Sequence, residues 1–168
     1  MSKMLELFTA ARQVSVPLLA VRTADQIATA EAIRAASPEH VVAQWDAARG
    51  ITPVPTPDGK APKPTAQALA QAQIKAEDTV GFDSAMIAAA KLPKGAVLLA
   101  HNAQRQLTSA EPSVVAANVQ AVANLRSVFK TSFRMLVLLG PALVMPGELE
   151  QDVIIVDHEL PGAAELAV

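Results

Sequence analysis

The sequence predicts an α/β protein: a five-stranded parallel sheet with helices on both faces. Two observations carry this. The middle β-rich runs, "GAVLLAHN" and "FRMLVLLGPA", are continuously apolar rather than alternating, as strands buried on both faces are. These runs also alternate with segments of helical periodicity, which is the pattern of a parallel sheet joined by crossovers.

The elements follow in order. Met4, Leu7, Phe8 and Ala11 recur at helical spacing, so a first helix is expected over 3–13. "SVPLLAVRT" is a β-rich run ending at Thr23, and Val16–Thr23 is the first strand. Thr23 and Gln26 have capping-box spacing, so a helix is expected to start there, with Ile27, Ala30 and Ile33 on one face. "HVVAQWDA" gives a second strand over 40–47. Five of the twelve prolines lie between Pro53 and Pro64. Proline lacks a donor and fixes φ, so 52–64 reads as an exposed, mobile loop. "TAQALAQAQIKAED" and "FDSAMIAAAKL" read as helices, and Ala96–Ala100 is the core of the third strand. The longest helix starts near Pro112, where a missing N–H costs nothing. Val115, Val119, Val122, Arg126 and Phe129 mark one of its faces, with Leu125 beside it. Met135–Leu139 is the fourth strand, a short acidic helix follows Gly140-Pro141, and Val153–Val156 is the fifth strand. "LPGAAELAV" reads as a turn and the first turn of a helix.

The 168 residues suit one domain, and a chain of this size buries roughly 70% of its unfolded surface without staples. Apolar residues make up 51% and aromatics only 3%, so the core is aliphatic. A net charge of −2 supplies no basic field for nucleic acid or an anionic membrane. The absence of cysteine excludes disulfides and thiolate metal sites and fits a reducing cytoplasm. No signal-peptide pattern opens the chain, and the longest uncharged apolar run, Met135 to Gly147, is too short and proline-broken to span a bilayer. The expectation is a soluble, cytoplasmic protein.

The closing stretch Leu136–Leu139, Gly140-Pro141-Ala142, Pro146-Gly147-Glu148-Leu149, Val153–Val156 and Leu160-Pro161 resembles the last third of an AAA+ nucleotide-binding core. With Leu5–Gln13, Val16–Thr23, Val41–Trp45 and Arg49-Gly50, the whole chain outside 52–78 resembles the N-terminal region that precedes the catalytic module in a group of bacterial and plastid AAA+ ATPases. The resemblance implies a single AAA-like domain over 1–168 with strand order 5-1-4-3-2, the first strand beside the fourth; right-handed crossovers also permit a flavodoxin-like order of 2-1-3-4-5, with the first strand beside the third. Burial favours the first order, since the fourth strand is uniformly apolar and the second carries Gln44, Trp45 and Asp46, as an edge would. The resemblance also implies that the chain continues, or was cut, before a catalytic module.

The charged parts of phosphoryl transfer are missing from their expected places. After the first strand stands "VRTADQIAT", with neither the glycines nor the Lys of a phosphate-binding loop. His101-Asn102 occupy the Walker-B place, Gly140-Pro141 the sensor place, and Glu150-Gln151-Asp152 the arginine-finger region. The expectation is therefore a degenerate P-loop domain, not an enzyme as given, with no catalytic residue, cofactor or metal.

Thr23, His101 and Asn102 remain as ligand-facing candidates, because open α/β sheets bind ligands at the carboxyl ends of their strands. The plainer reading of His101 and Asn102 is a polar strand end in solvent. His40, His101 and His158 stand at no metal-ligand spacing, and Asp157-His158-Glu159 resembles a metal cluster by composition only. Asp46 reads as a turn aspartate, Trp45 as a core or sheet-edge anchor, and Ala85–Ala90 as a packing face that would also suit a subunit contact.

The functional expectation is a non-catalytic regulatory or assembly domain of an AAA+ ATPase, contacting a protein partner or the downstream module. A homo-oligomer is compatible with it, and neither nucleic acid nor membrane is indicated. A free-standing adaptor binding a protein through the long loop is the alternative. A small enzyme using Thr23, His101 and Asn102 is a third reading.

Overall fold

The computed structural model describes residues 2–108 and 111–158. Helix α1 (Lys3–Gln13) leads into β1 (Leu18–Thr23), α2 (Gln26–Ala35), β2 (Val42–Asp46) and β3 (Gly50–Pro53). Then come α3 (Lys63–Gln71), a single 3₁₀ turn (Ala76–Asp78), α4 (Phe82–Ala89) and β4 (Val97–Ala100). The chain closes with α5 (Ala103–Leu107), α6 (Pro112–Thr131), β5 (Met135–Gly140) and β6 (Ile154–His158). The turn-and-helix start expected beyond Glu159 lies outside the described residues.

The sheet has six strands in the order β3-β2-β4-β5-β1-β6. Five of them, β6-β1-β5-β4-β2, are parallel neighbours in the expected 5-1-4-3-2 order. The decisive pairing is β1 with β5, which runs from Leu18↔Leu136 to Arg22↔Gly140.

The sixth strand corrects the sequence reading, because it makes the sheet mixed. β3 returns antiparallel along β2, from Asp46↔Gly50 to Ala43↔Pro53, so β2 is not an edge. The turn is dictated locally. Asp46 Oδ1 accepts from the amides of Ala48 and Arg49 at 2.9 and 2.7 Å, while Arg49 Nε donates to Oδ2 at 2.7 Å. Gly50 has φ +76°, and a Cβ there would stand 2.1 Å from the Ala76 carbonyl oxygen. Only glycine meets both conditions. Pro53 is tolerated because an edge strand needs no donor on its outer side.

The expected 52–64 loop is correspondingly shorter. Thr52 and Pro53 belong to β3 and Lys63 and Pro64 to α3, while Val54 is buried against the sheet. No helix follows Gly140-Pro141 among the described residues; 147–152 are turns.

Helices cover both faces and divide the core in two. On one face Leu18, Ala20, Trp45, Leu98 and Leu136 pack against Met86, Val122, Leu125 and Phe129. Trp45 is fully buried, meets Phe82 edge-on with ring centroids 5.2 Å apart, and donates from Nε1 to the Thr79 carbonyl at 2.8 Å. It is a core anchor, and its polar edge has the partner a buried indole needs. On the other face Leu19, Val21, Leu99 and Val137 pack against Met4, Phe8, Ala30 and Ile33. Ile27, expected on one face with Ala30 and Ile33, is 81% exposed. Steps of three residues drift around the axis of α2, so Ile27 lies about 120° from Ile33, and the helix buries Thr29, Ala30 and Ile33. Its N-cap is Asp25, whose side chain accepts from Ala28 N.

Two arginines tie the lower ends of the strands together. Arg12 donates to the carbonyls of Phe133 and Gly95 at 2.7 and 2.5 Å, and Arg134 to those of Ala90 and Leu92 at 2.7 and 2.9 Å.

The shortened loop yields a test. Replacing Pro55–Pro62 with a short Gly-Ser link is expected to leave the urea midpoint nearly unchanged, because only the loop's flanks are packed. Val54→Ala is expected to cost about 2 kcal/mol, as loss of buried methyls does. Equal effects from the two changes would show the loop itself to be structural.

Candidate functional site

A cleft of about 730 Å³ opens at the carboxyl ends of β1, β2 and β4. The segment after β1 and the first turns of α2 form one wall, the end of β4 forms the back, and 54–59 form the opposite wall.

The first wall is built by capping. Thr23 is buried, and its Oγ1 accepts from Asp25 N at 3.1 Å. Asp25 Oδ1 in turn accepts from Ala28 N at 2.9 Å. A carboxylate of the chain therefore occupies the positive end of α2, the place where a helix following a strand can receive an anion. Thr29 Oγ1 lies 2.9 Å from Thr23 Oγ1, donates to the Asp25 carbonyl at 2.9 Å, and stands 2.7 Å from His158 Nδ1. That cluster links the first loop to the last described residue of β6.

The back wall is reached by a two-bond clasp. Gln26 Nε2 donates to Asn102 Oδ1 and Asn102 N donates to Gln26 Oε1, both at 2.8 Å. Asn102 has φ +52°, a left-handed conformation that asparagine tolerates better than most residues. Beside it, His101 Nε2 lies 2.8 Å from Gln44 Oε1. With that carbonyl oxygen as acceptor, Nε2 carries the proton.

The electrostatics follow from these contacts. Asp25, Glu31 and Asp46 line the cleft with one cation, Arg49. Burial pushes the Asp46 carboxyl up, but hydrogen bonds from the Arg49 and Ala48 amides and the Arg49 side chain, and the Arg49 charge, leave it below its ordinary value. Glu31 is held low mainly by its hydrogen bonds from Arg34. Burial depresses His101; the Asp46 charge opposes this and the Arg49 charge reinforces it. The result is an acidic, amide-lined cleft in which each carboxylate already has a partner within the chain.

The structure thus brings His101 and Asn102 into one cleft, while Thr23 lies buried behind its wall. His101 is 9% exposed, so it is not the solvated strand end of the plainer reading. From the sequence Gln26 reads only as a capping-box partner and Gln44 only as an edge-strand residue; their pairing with Asn102 and His101 comes from the packing of α2 and β2 against the end of β4. His158 meets Thr29 of α2 through Nδ1. Among the described residues no group of three or more His, Cys, Asp or Glu could hold a metal ion, and no helix is long and apolar enough to cross a membrane.

Comparison with known proteins places this geometry. A family model described as "SpoVK-like AAA ATPase, N-terminal domain" matches residues 1–158. No curated protein matches. A chain in the structure of an E. coli MS115-1 HORMA:CdnC:Trip13 complex aligns with a TM-score of 0.51 at 14% identity, covering 96% of this chain and 54% of that one. This chain thus spans about half of that neighbour, and the likeness is one of fold. A chain in the structure of Drosophila ORC bound to DNA aligns with a TM-score of 0.43 at 11% identity, covering 98% of this chain and 93% of that one.

The depressed His101 gives a signed prediction. Because its folded pKa lies below the ordinary 6.5, the unfolded state takes up the proton first. The stabilising contribution is present above 6.5 and is lost as pH falls through the folded value. His101→Gln should therefore reduce the loss of urea stability between about pH 7.5 and pH 5.5, measured against the parent chain. Parallel pH profiles would show that the imidazole is not buried in its neutral form.

Proposed function

The chain belongs to the family of SpoVK-like AAA ATPase N-terminal domains, and from that premise we propose that it is a non-catalytic regulatory or assembly domain with a degenerate P-loop-like cleft. It precedes an ATP-hydrolysing module and works through protein contacts, either with that module or with a partner.

One observation carries the reading: in the cleft that would receive a nucleotide, the polar groups are already partnered within the chain. Asp25 caps α2 where a phosphate would sit, so an incoming triphosphate meets a like charge rather than free amides. The Gln26–Asn102 clasp spans the gap between the first loop and the end of β4. His101 and Asn102 stand where two carboxylates would be needed to hold Mg²⁺. A fold keeps its core when such parts are lost, and its surfaces then carry the function.

Calorimetric titration of the chain with Mg-ATP is expected to give no binding heat, and micromolar affinity would overturn the non-catalytic reading. In a parent carrying the downstream module, removing residues 1–158 is expected to change assembly or the regulation of hydrolysis while the module still binds ATP. Unchanged assembly and unchanged regulation would overturn the contact role.

A further inference from the structure

The cleft is unbalanced in its hydrogen bonding. Amides around it are engaged within the chain: Asp25 N donates to Thr23 Oγ1, Ala28 N to Asp25 Oδ1, Asn102 N to Gln26 Oε1 and Gly59 N to the Thr56 carbonyl. Pro55 and Pro57, on the facing wall, have no N–H to offer. Acceptors remain. Asp25 is engaged through one carboxylate oxygen, and its Oδ2 has no partner among the described residues.

His101 supplies a second acceptor, deeper in the cleft. The residue is 9% exposed and lines the back wall. Its Nε2 donates to Gln44 Oε1 at 2.8 Å, and Gln44 is held in that sense because its own nitrogen faces the Pro53 carbonyl at 3.5 Å. A neutral imidazole with its proton on Nε2 carries a bare lone pair on Nδ1. That atom has no partner among the described residues. Among them the one fully enclosed side-chain polar atom without a partner is Thr52 Oγ1, so Nδ1 keeps contact with the space that His101 lines. A lone pair in so buried a place gains from a donor brought in from outside.

We propose that the cleft receives an arginine side chain presented by a partner protein, its guanidinium donating to His101 Nδ1 and drawn in by the Asp25 carboxylate. The inference rests on the reading of the chain as a contact domain, and it names the surface and the chemistry of the partner. A guanidinium is donor-only and always charged. Its charge is opposite to that of the lining, where Asp25, Glu31 and Asp46 face one cation, Arg49. It is also less strongly hydrated than an ammonium, so bringing it to a buried ring costs less. Its methylene stem needs an apolar wall. Ile27, 81% exposed, supplies one with Ala30 and Val54. A metal ion fits less well, because no group of three or more His, Cys, Asp or Glu among the described residues could hold it.

The probe is N-acetyl-arginine N-methylamide, titrated into the isotope-labelled chain and followed by nuclear magnetic resonance. Saturable shifts are expected at the Ile27, Val54 and Asn102 amides with a dissociation constant of about 1 mM. The Nδ1 resonance of His101 should move while Nε2 stays protonated. His101→Phe keeps a ring and removes both nitrogens, and Asp25→Asn keeps an oxygen to cap α2 while removing the charge. Each is expected to weaken binding about tenfold. Should the first variant fail to fold, the second and the Nδ1 signal of the parent chain decide. An unmoved Nδ1 resonance, or equal binding of the matching lysine or glutamate probe, would overturn the proposal. A chain that binds neither the arginine probe nor Mg-ATP loses this site and keeps the non-catalytic reading. A chain that binds both keeps the site and loses that reading.

Discussion

The position of β1 between β5 and β6 is the constraint on which the rest of the domain depends. The strand pairs with segments more than a hundred residues further along the chain, in parallel on both sides. Parallel neighbours cannot be joined by tight turns, so each connection must cross a face of the sheet, and helices fill those crossings. With neighbours on both sides and helices on both faces, β1 has no solvated surface until Arg22. Its alternate residues feed separate cores, Leu18 and Ala20 one and Leu19 and Val21 the other. An aliphatic chain with few aromatics suits such a strand, since branched side chains pack closely on both sides of a pleat.

The same placement decides where chemistry can happen. β1 lies one strand in from the β6 edge, and the segment after it, with the first turn of α2, reaches past β5 to the ends of β4 and β2. In a doubly wound sheet that crevice is the natural ligand site. Here capping, clasping and hydrogen bonding satisfy its polar groups internally. Asp25 serves α2, Gln26 serves Asn102, and Gln44 serves His101. The turn starts a helix on a strand's end and caps it with a carboxylate of the chain.

The ends of the sheet show a second division of labour. The β3 edge is protected by the 3₁₀ turn and by Thr79, which is itself fixed by its bonds to the Lys75 and Ala76 carbonyls. Trp45 reaches the same segment from the core side through the Thr79 carbonyl. One short polar segment therefore seals an edge and anchors the only tryptophan. The β6 side carries its apolar residues outward instead, and the Arg22–Asp157 pair beside it is exposed and 3.8 Å apart, too loose to serve as a strong lock.

By itself the sequence determined the α/β class and five of the six strands, while their order came with the family resemblance. Runs such as "MLVLLG" and the helical spacing of Met4, Phe8 and Ala11 encode burial and period directly. Only the tertiary structure decided the sixth strand, since β3 exists through its pairing with β2 and the cover of Thr79, and its prolines argue locally for a loop. It alone showed Asp25, and not Thr23, as the cap of α2, and it placed Ile27 on the outer face. It alone joined Gln26 to Asn102 and Gln44 to His101, pairs separated by 76 and 57 positions. A hydrogen bond between side chains so distant leaves no period or spacing in the sequence, because its geometry comes from the register of the sheet and not from the chain between them.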